Sequence, residues 1–299
     1  KFLMKMMPKL PQALLYKGLR KNCVKINGKH IKDGSYKIIK GEILTLYFND
    51  EFFDSDKDSL DFISSVPNLN IIYEDKNILL IDKPQGICVH QDTNRDKNNL
   101  LNCVKSYLYK KGEYNPSLEN TFAPAFANRI DKGTGGIVIA AKNAESLRII
   151  NEKIKNREIE KKYLCLAYGK FAEKEGKISG YILRDTALKT VSFSDTPKND
   201  SKKALTLYKV LEEFSEHSLV EVELKTGRTH QIRASFAHIG HPILGDRKYG
   251  SREINIKYDF AYQALYSYKI RFNFSSDAGN LDYLNGKEFE VPNVSFAKK

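Results

Sequence analysis

The residues best suited to chemistry lie at positions 128 to 135, which read NRIDKGTG. Asp131 stands between two cations, Arg129 and Lys132, in a glycine-containing turn that leads into the apolar run of residues 136 to 141. A strand would hold the carboxylate rigidly, while the glycines would let a ligand approach it closely. The pattern is typical of a catalytic acid, but a solvated ion-pair cluster on a surface would look the same.

A second candidate, Tyr163, lies in the segment EKKYLCLAY at residues 160 to 168. The alternation of this segment predicts a β-strand with Tyr163, Cys165 and Ala167 on one face. A tyrosine at such a position usually belongs to a core or an interface. The segment alone therefore predicts packing rather than catalysis.

The third candidate, Arg233, follows a strand and the turn TGRT at residues 226 to 229. We predict that Thr229 caps a helix that ends at Gly240 and that places Arg233 in its first turn. From there the guanidinium can pair with a carboxylate through two hydrogen bonds. Binding of a phosphate at the start of the helix is the alternative without catalysis.

The sequence predicts neither a metal site nor a disulfide framework. His238 and His241 precede Asp246, but the proline after His241 bends the chain away from one helical face. The cysteines form no Cys-x-x-Cys pair, so we expect free thiols at Cys23, Cys88, Cys103 and Cys165.

The composition describes a basic protein with enough apolar residues for a substantial core. The 299 residues are 41% hydrophobic and carry a formal net charge of +12, which suggests one large domain with a smaller one attached. No apolar run has the length of a membrane span, and the lysine-interrupted start of the chain does not resemble a secretory signal. We therefore expect a soluble, cytoplasmic protein, and we separately expect a monomer.

The positive charge is concentrated towards the N-terminus. Residues 1 to 49 contain ten Lys and one Arg against Asp33 and Glu42, a net charge of +9, whereas residues 50 to 62 contain six acids against Lys57, a net charge of −5. A basic block followed by an acidic connector indicates a polyanion-binding module on a linker. A merely soluble, lysine-rich surface would have the same charge.

Residues 1 to 49 also contain the elements of a small folded module. A helix is predicted within residues 8 to 22, with apolar side chains at Leu10, Ala13, Leu14 and Leu19, and two strands follow, the first ending at an Asn-Gly hairpin turn. The pattern LRKxxVKINGK, a spacer and GEILTL resemble the S4 RNA-binding module, here expected to be truncated at its N-terminus. The resemblance implies RNA binding through phosphate contacts and shape. The implied surface consists of Lys17, Arg20, Lys21, Lys25 and Lys29.

A linker is assigned to residues 50 to 67, and the main domain then alternates between predicted strands and helices. Residues 71 to 81 predict two strands around an Asp-Lys-Asn turn, ended by KPQG at residues 83 to 86. Helices are predicted at residues 100 to 110 and 144 to 154, and both are expected to pack on a sheet.

Several motifs in one order resemble the RluA/RluC-type pseudouridine synthases. They are IYEDxxILLIDKPxG, RIDKxTGGI, KKYL, LKTGRTHQIR, IGHPILGD and LNGKxF, and they extend over nearly the whole chain. The resemblance implies an α+β domain at residues 68 to 299, with a mixed, mostly antiparallel sheet and flanking helices. The family often has His where Asn128 stands and Ser where Gly135 stands, so these departures bear on substrate choice.

The resemblance also implies that the chain isomerises uridine to pseudouridine in RNA without a cofactor. Asp131 would act at the sugar, by attacking C1′, by stabilising positive charge there, or by removing a proton from C2′. Tyr163 would lie against the uracil and remove the C5 proton, while Arg233 would pair with Asp131. The base must be flipped out of the RNA, and Arg129 is expected to support it. Further RNA contacts are expected from Lys132, Thr134, Lys162 and Arg228.

Large-subunit ribosomal RNA is the expected substrate, with transfer RNA as the alternative. A glycosidase would need a second acid at a defined separation, which the sequence does not offer. A nucleotide-binding enzyme would need a glycine motif whose spacing residues 133 to 136 lack. A non-catalytic RNA-binding protein is the other class, and the combination of Asp131, Tyr163 and Arg233 argues against it.

Overall fold

The computed structural model describes residues 2–7, 9–49, 52–53, 62–63, 65, 68–90, 99–119 and 121–297. These residues form two β-sheets, one of 3 strands and one of 11 strands. The acidic linker predicted at residues 50 to 67 falls largely outside the described residues.

The small sheet belongs to the N-terminal module. Its elements are α1 (Phe2–Met6), α2 (Gln12–Arg20), β1 (Val24–Ile26), β2 (Lys29–His30) and β3 (Leu44–Leu46). Strand β1 pairs antiparallel with both β2 and β3. Asn27 and Gly28 both have positive φ angles, as a two-residue hairpin turn requires, so the predicted Asn-Gly turn is confirmed.

The predicted apolar stripe of the module's helix was wrong in part. Helix α2 buries Leu15 and Leu19 on either side of Gly18, while Ala13 and Leu14 are exposed. The ring of Phe48 packs directly against Gly18, where a side chain would overlap it. This contact fixes which face of the helix meets the sheet, and the sequence periodicity did not reveal it.

The large sheet and its helices form the remainder of the described chain. The helices are α3 (Leu100–Lys110), α4 (Ala144–Lys155), α5 (Gln231–His238) and α6 (Arg252–Tyr258), with 3-10 helices at Gly279–Leu284 and Ser295–Ala297. The strands are β4 (Asn70–Glu74), β5 (Ile78–Lys83), β6 (Ala125–Phe126), β7 (Gly135–Ala141), β8 (Ile159–Tyr168), β9 (Glu175–Asp185), β10 (Thr190–Ser194), β11 (Lys202–Glu213), β12 (His217–Leu224), β13 (Leu265–Phe272) and β14 (Glu288–Glu290).

The strand order of the large sheet is β10-β9-β11-β12-β8-β13-β7-β5-β4, with β6 beside β7 and β14 beside β13. Strands β13 and β7 pair in parallel, and the other strand pairs within the described ranges are antiparallel. The expected mixed, mostly antiparallel sheet is therefore confirmed. At the parallel crossing, Gly135 lies against the Tyr266 ring and Gly136, with φ +110, against the Ser267 backbone.

Both faces of the sheet are covered, as alternation along the strands requires. One face packs on α3 through Leu79, Ile81 and Val104. The other packs on α4 through residues that include Leu80 and Ile150. The helices predicted at residues 100 to 110 and 144 to 154 are thus present as covers of the sheet. Strands β5 and β7, whose residues are all buried, provide a rigid base for the loop that contains Asp131.

Candidate active site

A buried lysine holds the loop that contains Asp131. Lys83, at the end of β5, donates hydrogen bonds to the carbonyl oxygens of Pro84 and Ile87, both at 2.9 Å, and of Lys132 at 3.2 Å. The amide of Gly86 donates to the same Lys132 oxygen at 2.8 Å. The KPQG turn predicted after β5 therefore anchors the loop directly behind the acid.

Two glutamines fix the other side of this loop. Gln85 donates to the carbonyl oxygen of Gly133 at 2.9 Å, and Gln263 donates to the hydroxyl of Thr134 at 3.0 Å. The side chain of Thr134 is buried. It was predicted as an RNA contact, but its hydroxyl is used inside the protein, because the glutamine reaches it from the segment before β13.

Arg233 is shared by two carboxylates. Its Nη1 donates to Asp131 Oδ2 at 2.8 Å, so the predicted ion pair is present. Its Nε and Nη2 form a two-bond contact with Asp246, at 2.7 and 2.8 Å. Burial disfavours the charge of Arg233, but Asp246 and then Asp131 outweigh it and raise the pKa of the guanidinium further. The arginine therefore remains a cation and keeps its orientation.

Asp246 was missed as a member of this site, having been weighed only as a metal ligand. It is fully buried and accepts further hydrogen bonds from the amides of Lys248 and Tyr249, at 2.9 and 3.1 Å. The motif IGHPILGD contains it, but spacing alone could not show that it orients Arg233, because the contact depends on the chain path after α5.

The start of α5 differs from the prediction. The N-cap is His230 rather than Thr229, and it has left-handed backbone angles of φ 52 and ψ 22 without a side-chain capping bond. The side chain of Gln231 instead accepts from the amide of Arg228 at 3.1 Å and from the hydroxyl of Thr226 at 2.8 Å. Gln231, the first residue of the helix, thus holds the preceding turn through these hydrogen bonds, and Thr229 is not needed as a cap. Gly240, with φ +81, follows the helix end as expected.

Tyr163 lies on the same side of the sheet as the acid. It is buried and lines a cavity together with Asp131 and Arg233. Burial raises the pKa of its hydroxyl to about 12, a hydrogen bond with Ser267 offsets part of this, and the charge of Asp131 raises it further. Tyr163 is therefore a neutral phenol at pH 7.

Two cavities meet at Asp131 and share Arg129, Thr229, His230 and Arg233 as lining residues. The first is also lined by the cations Lys155, Arg157, Lys161, Lys225 and Arg228. The second is also lined by His90, Lys132, Arg184, Lys189, Arg247 and Lys248. Asp131 thus lies in the middle of a long basic cleft, which suits a polyanion.

The predicted RNA contacts of the main domain divide into two groups. Arg129, Lys132 and Arg228 line the cleft, although Arg228 Nε also donates to the carbonyl of Lys203 at 3.1 Å. Lys162 does not reach it, because it lies on the opposite face of β8 and pairs with Glu221 at 2.9 Å.

The neighbouring Lys161, which sequence reasoning missed, points into the cleft instead. Burial lowers its pKa to about 8, and nearby Arg157 adds to this effect. Within the described parts of the chain, no carboxylate forms an ion pair with Lys161. The alternation of β8, applied to both lysines, would have identified it.

The basic side chains of the N-terminal module lie mostly at its surface. Lys17, Arg20, Lys21 and Lys29 are exposed, and the Lys25 amine lies 5.2 Å from the centre of the Tyr47 ring. The surface implied by the S4 resemblance is therefore accessible to a ligand.

The histidines weighed as metal ligands have other partners. His238 contacts Asp195 at 3.0 Å, and His241 contacts the carbonyl of Tyr168 at 2.9 Å. Among the residues that the structure describes, no group of three His, Cys, Asp or Glu side chains could hold a metal ion. No helix in the described ranges is long and apolar enough to cross a membrane.

The sequence matches the family described as RNA pseudouridylate synthase over residues 77–238, and the chain belongs to this family. It is therefore an RNA pseudouridine synthase, an isomerase. It is 34% identical to an uncharacterized RNA pseudouridine synthase of Mycoplasma capricolum, over 96% of this chain and 91% of that protein. It is 32% identical to ribosomal large subunit pseudouridine synthase C of Buchnera aphidicola, over 91% of this chain and 84% of that protein. The same identity relates it to ribosomal large subunit pseudouridine synthase D of Borreliella burgdorferi, over 84% and 77%.

Solved structures show the same fold. Human RNA pseudouridylate synthase domain containing 1 superimposes with a TM-score of 0.60 at 23% identity, over 77% of this chain and 85% of that chain. Human RNA pseudouridylate synthase domain containing 4 gives 0.58 at 20% identity, over 76% and 89%. The expected pseudouridine synthase fold is thus confirmed.

Proposed function

We propose that this protein converts specific uridines of large-subunit ribosomal RNA to pseudouridine, as a cytoplasmic monomer. The observation that carries the chemistry is the Asp131–Arg233 ion pair beside Tyr163, in the middle of a basic cleft. The ribosomal substrate is supported by relatives at 32% identity that are named as large-subunit enzymes.

The proposed reaction needs only residues of the chain. The bond between N1 and C1′ breaks, the uracil turns, a bond between C5 and C1′ forms, and the C5 proton leaves while N1 gains one. Arg233 holds Asp131 in place through its hydrogen bond to Oδ2, so that the carboxylate can attack C1′, stabilise its positive charge or take a proton from C2′. Atoms and electrons balance without a cofactor.

Tyr163 is the proposed acceptor of the C5 proton. Because its pKa of about 12 keeps it protonated, its hydroxyl must first give its proton to N1 of the detached uracil, and the phenolate then takes the C5 proton, which restores the hydroxyl. Ser267, whose interaction lowers the pKa of this hydroxyl, would stabilise the phenolate.

RNA recognition is proposed to involve both the cleft and the N-terminal module, by analogy with the S4 pattern. Arg129, exposed where the two cavities meet, would support the flipped nucleotide. Lys132, Lys161 and Arg228 would contact phosphates, while Lys17, Arg20, Lys21, Lys25 and Lys29 would extend the contact to neighbouring RNA.

Pseudouridine mapping in cells that lack the gene tests this proposal. We expect the deletion to remove pseudouridine from one or more sites of large-subunit ribosomal RNA, and wild-type protein to restore it. Asp131→Asn should restore none, because the neutral amide cannot replace the carboxylate. Sites lost only from transfer RNA would refute the ribosomal target, and restoration by Asp131→Asn would refute the catalytic assignment.

A further inference from the structure

His230 has backbone angles that a histidine seldom adopts. With φ 52 and ψ 22 it lies in the left-handed region immediately before α5. Non-glycine residues in this region persist where the surrounding structure holds them, and they occur often at functional sites. Here the conformation brings Nε2 of His230 to 3.7 Å from Asp131 Oδ2.

A chain of hydrogen bonds determines which ring nitrogen carries the proton. The amide of Val191 in β10 donates to the Tyr249 hydroxyl at 2.9 Å, and this hydroxyl lies 2.7 Å from His230 Nδ1. Of these two partners, only Nδ1 can accept the hydroxyl hydrogen. The neutral imidazole therefore carries its proton on Nε2, which faces Asp131.

We propose that His230, with its tautomer set by Tyr249, is a positioning residue that orients the carboxylate of Asp131 through Oδ2. Arg233 Nη1 donates a hydrogen bond to Oδ2 at 2.8 Å, and His230 Nε2 faces the same oxygen at 3.7 Å, beyond hydrogen-bond distance but close enough for the N–H dipole to attract the carboxylate. No hydrogen bond from the described residues ends on Oδ1. Both groups thus lie on the Oδ2 side and leave Oδ1 as the oxygen presented to the nucleotide. The inference deepens the proposed function and rests on it.

The charges around His230 explain why a neutral donor suits this position. Asp131, Arg233 and Asp246 together carry a net charge of −1, which favours positive charge developing at C1′. An imidazolium beside Asp131 would cancel this charge. Burial lowers the pKa of His230 below its ordinary value of 6.5, and the positive charges of Arg233 and Lys248 lower it further. The negative charges of Asp131 and Asp246 oppose this shift. The ring is therefore neutral at pH 7.

Three variants separate the contributions of the ring, its tautomer and the backbone. His230→Gly accepts left-handed angles and removes the N–H, and His230→Gln places a side-chain amide N–H that does not titrate near the position of Nε2. Tyr249→Phe removes the hydroxyl and keeps the ring, whose centre lies 5.1 Å from the Arg233 guanidinium. His238→Gln, at the last residue of α5 and paired with Asp195, is the matched control.

The measurement is single-turnover formation of pseudouridine in ribosomal and transfer RNA transcripts between pH 5 and 8. We expect His230→Gly to lower the rate constant about 10- to 100-fold at pH 7 with RNA affinity unchanged, because the acid loses its orientation. His230→Gln should recover part of this loss, and His238→Gln should match the wild type.

The pH profiles provide the readout that a purely structural role would not change. Protonation of His230 should slow the wild type as the pH falls below 6.5, and His230→Gln should lack this loss of rate. Tyr249→Phe should shift this loss of rate to higher pH, because Nδ1 of His230 is then free to take a proton. If the wild type is active but His230→Gly has the same rate, or His230→Gln loses rate at low pH as the wild type does, the inference is wrong. A wild type inactive on both RNAs would instead refute the proposed function.

Discussion

Lys161 and Lys162 are adjacent in sequence but have opposite environments. Lys161 faces the cleft without a carboxylate ion pair in the described chain, whereas Lys162 faces away and pairs with Glu221. A partly buried cation without a counterion is costly until a ligand supplies an anion. RNA supplies phosphates, so Lys161 is the better candidate for a contact near the flipped base.

Lys161→Met is expected to weaken RNA binding about 10-fold at pH 7 in a salt-controlled titration, which corresponds to roughly 1.4 kcal/mol. A phosphate raises the pKa of Lys161 in the complex above the value of about 8 in the free protein. The contribution of Lys161 to RNA affinity is therefore complete below pH 8 and is lost as the pH rises through the pKa of Lys161 in the complex.

Lys162→Met is the matched control and should bind RNA within about twofold of the wild type. The variant Lys161→Met should also show a flatter pH dependence of affinity between pH 7 and 9. Equal affinities of both variants across that range would exclude Lys161 from the RNA contact.

The contacts of a functional residue could be predicted where the residue lies in a family motif and the resemblance to that family also implies its partner. The pair of Asp131 and Arg233 is one such case. Asp246 and His230 were not recognised, because their contacts arise from the chain path around α5. A left-handed residue before a helix has no periodic signal, so the conventional choice of Thr229 as the cap was wrong.

Among the elements, the turn after β5 and the loop before β7 behave as one unit. Lys83 joins them through three carbonyl oxygens, and it is completely buried. The sequence predicted the KPQG turn but not its contact with the Asp131 loop, because strand pairing between β5 and β7 is what brings the two together.

Lys83→Met is expected to destabilise the protein by about 2 to 4 kcal/mol, since buried carbonyl oxygens lose their donor. The rate of pseudouridine formation should also fall, because the loop behind Asp131 loosens. Urea unfolding measures the loss of stability. Lys76→Met, at the exposed turn between β4 and β5, is the control and should change stability by less than about 0.5 kcal/mol. Equal unfolding midpoints for the two variants would contradict this role.

For the whole molecule, the division of charge between the N-terminal module and the cleft predicts how RNA binding responds to salt. We expect the triple variant Lys17→Gln, Arg20→Gln and Lys21→Gln to bind RNA more weakly and with a shallower salt dependence. The slope of log affinity against log salt should decrease by about 2 to 3 if all three contact phosphates.

A variant with the same net charge provides the control for this experiment. Lys174, Lys209 and Lys257 are exposed and each pairs with a glutamate, so Gln at these three positions removes equal charge elsewhere. This control should keep the wild-type slope. Identical slopes for both triple variants would mean that the N-terminal module does not contact the RNA.

The class of the sheet was implied by the resemblance to the pseudouridine synthases, but its strand order was not predicted. Periodicity and turns predicted only individual strands, a hairpin and the helices that cover the sheet. The position of β13 between β8 and β7 depends on contacts between residues a hundred or more positions apart, which local patterns do not encode. The order became available only with the structure.

The central position of β13 has a consequence for synthesis on the ribosome. Until Leu265–Phe272 emerges, β8 and its partners β12, β11, β9 and β10 form one part of the sheet, while β7, β5 and β4 form another. Tyr163 and Arg233 belong to the first part and Asp131 to the second. A nascent or prematurely terminated chain without β13 would therefore expose two unpaired edges and have no assembled active site, so the enzyme cannot act before this strand has been made.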